Sequence, residues 1–157
     1  MKISIRKGLG FGLTSGIITT LGLIVGLHSG THSKIIILGG ILVIAIADAF
    51  SDALGMHISE EAGHKKSKKE VWESTISTFI FKLIFALIFI IPILAFQLQT
   101  AIIISIIMGL FLLSIFSFYI AKKQNINPLK AVLEHLVIGG VVILITHFVG
   151  DLASKLF

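Results

Sequence analysis

Five long apolar stretches, each bounded by charged or turn-forming residues, make up most of this chain: roughly residues 8–28, 35–58, 74–96, 100–120 and 129–153. Each is about as long as the ~20 residues that an α-helix needs to cross the hydrocarbon core of a bilayer. The pattern predicts an all-α polytopic membrane protein, a single domain of five transmembrane helices over residues 1–157. Lys2, Arg6 and Lys7 ahead of the first stretch resemble a secretory leader. That stretch is a full span in length and lacks a convincing small-residue cleavage site, so it is expected to be retained as the first helix. Pro92 predicts a bend or an end in the third span, and Pro128 stands where the fifth helix should begin.

The second stretch breaks the apolar pattern in an ordered way. Asp48 and Asp52 lie four residues apart inside it, a spacing that stacks both carboxylates on one helix face. At 100° per residue, Ser51, Gly55, Met56 and Ser59 join them in one polar stripe. An acid at mid-bilayer costs at least ~2.5–3.5 kcal/mol, so two on one face point to a functional site. Oxygen donors suit Fe²⁺ or Mn²⁺, and Met56 one turn on would add a softer ligand. Two carboxylates this close in a low-dielectric setting would share a proton until a metal displaced it. The structural alternative is an ion pair with Lys82 of the third span. Lys82 itself lies about two turns into its helix, where its ammonium is expected to extend to the membrane interface.

Composition agrees with a membrane protein. The chain is 55% hydrophobic and 13% charged, with a mean hydropathy of +1.05, whereas ordinary globular domains carry about 25% charge. There is no cysteine, which excludes a disulfide framework and thiolate metal clusters. The net charge of +5 does not argue for nucleic acid, because the lysines flank the apolar runs. They concentrate at the N-terminus, the loop with Lys65, Lys66, Lys68 and Lys69, and the loop with Lys122, Lys123 and Lys130, against Lys34 and Lys155 on the opposite side. By the positive-inside rule the N-terminus is expected in the cytoplasm and the C-terminus outside.

Other polar residues are secondary candidates, each with a plain alternative. Ser15 and Thr19 would line a pathway, or would bond their own backbone. Glu60, Glu61 and His64 at the cytoplasmic mouth would collect cations, or would form a solvated helix end beside lysines. His28 and His32, with His147 and Asp151, would form an exit site on the outer side, or would be ordinary interfacial residues. Glu134 is accounted for by its place near a helix N-terminus. In the first span Gly12, Ser15, Thr19, Gly22 and Gly26 share a face, and Gly8, Gly12 and Gly16 repeat a small-xxx-small spacing. These glycines would pack helices within one subunit or between two. No nucleotide-binding loop or catalytic motif is present, so no enzyme is expected.

The order of several short elements resembles the vacuolar iron transporter (VIT) family. These are Gly12-Leu13-Thr14-Ser15-Gly16 in the first helix, Ala49-Phe50-Ser51-Asp52-Ala53-Leu54-Gly55 in the second, Pro128-Leu129, Leu136-Val137-Ile138-Gly139-Gly140, and Val149-Gly150. The resemblance implies a homodimeric secondary transporter that exports Fe²⁺ or Mn²⁺ from the cytoplasm, in exchange for protons. The metal would be a substrate, with no cofactor, and the location would be a cell membrane or, in a eukaryote, a vacuolar or other organelle membrane. Asp48, Asp52 and Met56 would bind the ion, and Ser15, Thr19 and Ser51 would line its route. The site departs from the family pattern: Ser15 stands where the family carries Asp, Asp52 where it carries Met, Ile44 where an acid is expected, and His57 where it carries Tyr. Two alternatives remain: a non-transporting assembly module whose acids are neutralised by Lys82, and transport of another divalent cation such as Zn²⁺, Co²⁺ or Ni²⁺.

Overall fold

The computed structural model describes residues 2–63 and 67–156. The described chain forms α1 (Ile3–Thr31), α2 (Lys34–Ala62), α3 (Lys68–Leu87), α4 (Ile90–Ala95), α5 (Leu98–Lys123) and α6 (Pro128–Leu156), with no strand among the described residues. With α3 and the short α4 taken as one span, five segments are long and apolar enough to cross a membrane. Most helices run past their apolar windows. Charged residues at the ends continue the backbone hydrogen bonding while their side chains reach towards water.

Local signals fix the ends. Ser33 accepts a hydrogen bond from the Ile36 N–H at the start of α2. At the start of α3, Ser67 and Glu70 cap each other's backbone N–H groups in a capping box. At the start of α6 the Asn127 side chain accepts from Leu129 and Lys130, at 3.0 and 3.2 Å, and Pro128 takes the position where a missing N–H costs nothing. The third span does break. Pro92 has no N–H, and its ring would crowd the Ile88 carbonyl. Around this point the Phe89 and Ile91 N–H groups fall back on the carbonyls of Ala86 and Ile88, at 3.4 and 3.2 Å.

The axis of the bundle is α1, whose Leu13, Ile17, Leu21 and Ile24 are fully buried among α2, α3, α5 and α6. In a bilayer, lipid tails compete for apolar contact, so close helix approach depends on small residues. Gly8, Gly12 and Gly16 lie against α3: a Cβ at Gly8 would stand 2.5 Å from the Ser74 carbonyl oxygen, and one at Gly12 would stand 2.5 Å from that of Thr78. Gly26 and Gly30 face α6, where the Gly150 Cα lies against the α1 backbone. Both stripes therefore pack helices within one subunit. Between α2 and α6 the surface of α1 is uncovered and forms the floor of an open groove lined by Thr19, Leu23, Leu27, Ile44 and Thr146 among others.

Candidate cation site in the membrane interior

The polar stripe of α2 adjoins its buried one. Ala45, Ala49 and Ala53 pack inward, and their small side chains let α2 lie close to its neighbours, which brings Asp48 and Asp52 beside α1 and α3. Opposite them stands Lys82. Gly12 and Gly16 clear the way for its backbone: a Cβ at Gly12 would meet the Lys82 nitrogen at 2.9 Å, and one at Gly16 would meet its carbonyl oxygen at 3.0 Å. With its backbone flush against α1, Lys82 sends its side chain through the interior towards α2.

The Lys82 ammonium ion-pairs with Asp48 and, at 3.0 Å, with Asp52 Oδ2. It also donates to Ser15 Oγ at 2.6 Å and to Thr19 Oγ1 at 3.0 Å. Thr19 in turn donates to the Ser15 carbonyl at 2.8 Å, so its hydroxyl bonds its own backbone and accepts from Lys82 at once. One reading of the sequence is corrected here. Lys82 does not reach the interface; its side chain is 0% exposed. The ion pair weighed as the structural alternative is present, with both acids on this ammonium. An unpaired buried ammonium costs several kcal/mol in lost hydration, and the polar quartet on α1 and α2 offsets that cost here.

The acids are less enclosed than the lysine. Their side chains are 26% exposed for Asp48 and 17% for Asp52. Asp48 and Ser51 line a cavity of about 720 Å³ with Leu23, Leu27, Ile44 and Ala47. Thr19 borders the adjoining groove of about 820 Å³ between α1 and α6. Asp48 thus has an ammonium on one side and an opening on the other. Met56 is half-buried one turn beyond Asp52.

The remaining candidates form two separate groups. Towards the α2 C-terminus, Glu60 pairs with Lys7 at 3.3 Å and Glu61 with His57 at 3.5 Å. His57 Nδ1 also lies 3.0 Å from Thr75 Oγ1, and His64 is outside the described residues. At the opposite end the His28 and His32 rings lie 5.2 Å apart, and His28 interacts with Gln99 and His147. Gln99, at the start of α5, was not among the sequence candidates, since nothing in its local pattern marks it. Asp151 is taken by Lys155 at 2.7 Å. Among the described residues no three His, Asp or Glu side chains converge in a way that would hold a metal ion.

No curated protein matches this chain. A family model, described as the VIT family, matches residues 51–151. That segment runs from Ser51 on α2 to Asp151 on α6 and includes Asp52 and Lys82, while Ser15, Thr19 and Asp48 precede it. Spanning more than half of the chain, the match shows that this integral membrane protein belongs to the VIT family, a family of membrane metal-ion transporters rather than enzymes.

Proposed function

We propose that the protein exports Fe²⁺ or Mn²⁺ from the cytoplasm in exchange for protons, working as a homodimer with its N-terminus in the cytoplasm. The observation that carries this reading is the partly exposed carboxylate pair Asp48 and Asp52 in the membrane interior, with Asp48 lining a cavity. Intramembrane acids facing a cavity mark ion pathways, and hard oxygen donors suit these two metals. Met56 is the softer ligand that tunes selectivity. Ser51 lines the route, while Ser15 and Thr19 support it from behind through Lys82. Glu60, Glu61 and His64 form the entry, and His28, His32, His147 and Asp151 the exit.

Two acids do not saturate a divalent ion that takes six or more oxygen ligands. The cavity beside Asp48, and the open groove over α1 that shares Leu23, Leu27 and Ile44 with it, offer a second copy a place to complete the shell. Exchange for protons and the outward direction rest on the family resemblance and on the excess of basic residues in the loops assigned to the cytoplasm. The test is Mn²⁺ uptake into proteoliposomes holding the purified protein, compared with the Asp48→Asn and Asp52→Asn variants. Loss of uptake in both variants, with folding retained, supports the reading; unchanged uptake in both defeats it.

The ion pair with Lys82 favours a second reading, a non-transporting assembly module in which the acids serve only to hold α1, α2 and α3 together. It requires that the purified protein bind no Mn²⁺ or Fe²⁺ and that Lys82→Met unfold it.

A further inference from the structure

We propose that Lys82 is a tethered competitor cation, which occupies the acids when no metal is bound and keeps their affinity for the transported ion low enough for release. The proposal rests on the transport reading above and assigns a role to a residue outside the metal's own ligands. It starts from an asymmetry of burial: the ammonium is fully enclosed, whereas both carboxylate side chains are partly exposed and Asp48 lines a cavity. A metal arriving through that cavity meets Asp48, which already holds a cation on its far side and shares it with Asp52.

All four polar partners of Lys82 belong to the candidate site or its lining: Asp48, Asp52, Ser15 and Thr19. An ammonium has three protons to donate; two hydroxyls accept from it and two carboxylates lie at ion-pair distance, without a metal. With the ammonium, two ionised acids carry a net charge of −1; without it they carry −2. A divalent ion therefore either works against a positive charge at ion-pair distance or displaces it onto the Ser15 and Thr19 hydroxyls. Both lower its affinity. Passage through a membrane needs binding favourable enough to enter and weak enough to leave. When the metal departs, the ammonium returns as counter-ion, so the acids are not left uncompensated in a low-dielectric interior.

The experiment is equilibrium binding of Mn²⁺ to the purified protein in detergent, for the wild type, Lys82→Gln and Lys82→Arg. Gln keeps hydrogen bonding to the hydroxyls and acids but removes the charge. It should tighten Mn²⁺ binding by at least about tenfold. Arg keeps the charge and can engage two carboxylates through its planar fork, so it should weaken binding by at least about tenfold. The opposite signs keep the test decisive if one variant folds poorly. Affinities equal to the wild type in the folded variants overturn the competitor role and leave transport standing. Absence of Mn²⁺ binding in all three proteins removes the transport reading and the competitor with it.

Discussion

Replacing the two acids by Asn, singly and together, tests whether Lys82 depends on them jointly. At 3.0 Å and an effective dielectric constant of about 20, one ammonium–carboxylate attraction comes to about 5–6 kcal/mol. Most of that is offset, because the lost carboxylate no longer has to be dehydrated and Asn preserves its shape. Either single variant still leaves one carboxylate for the ammonium, and should cost about 1–2 kcal/mol, the range for one hydrogen bond to a charged group. The double variant leaves a fully buried ammonium with only hydroxyl and amide partners, a change on the scale of about 3–5 kcal/mol for an orphaned buried charge. It should therefore exceed the sum of the singles, about 2–4 kcal/mol, by about 1 kcal/mol. Adding Lys82→Met to the double variant should restore most of the loss. The assay is reversible denaturant unfolding in detergent micelles. A double variant no worse than the sum, or one that Lys82→Met fails to rescue, would refute the argument that this lysine is held by both acids.

Three further outcomes follow from the packing. Gly12→Val should destabilise the protein by about 1–3 kcal/mol and expose Lys82 to modification by amine reagents, because a Cβ there strikes the α3 backbone at Thr78; mass spectrometry of the labelled protein reads it. Thr19→Val should cost about 1 kcal/mol in unfolding with the helix content by circular dichroism unchanged, since Ser15 and both acids still hold the ammonium. Ser67→Ala removes one side of the capping box and should cost about 1 kcal/mol, read as faster amide exchange confined to the first turn of α3.

The five spans were legible in the sequence because lipid leaves so few options: a run of about 20 apolar residues has to satisfy its backbone internally, and a helix does so. The break ahead of Pro92 was legible for a similarly local reason. What Lys82 does was not. A lysine two turns inside a span is compatible with reaching the interface or with facing inward, and the choice depends on which face of α3 meets α1. That face is set by the fit of Gly8, Gly12 and Gly16 against the Ser74, Thr78 and Lys82 positions of α3. Each stripe repeats every four residues and could be read alone, but their mutual register is a property of the packed pair. The acids, by contrast, announced themselves, because their cost in lipid is a property of each residue. His28, His32 and His147 stand out by spacing, and the fold brings His28, His32 and Gln99 into one neighbourhood while Lys155 takes Asp151.

Crystals of the protein soaked in Mn²⁺ and measured at the manganese absorption edge test the central claim most directly. An anomalous peak within coordination distance of Asp48 and Asp52, lost in the Asp52→Asn protein, is the result expected if these acids carry the ion. A peak confined to His28, His32 and His147, or an unchanged peak once Asp52 is removed, would contradict it.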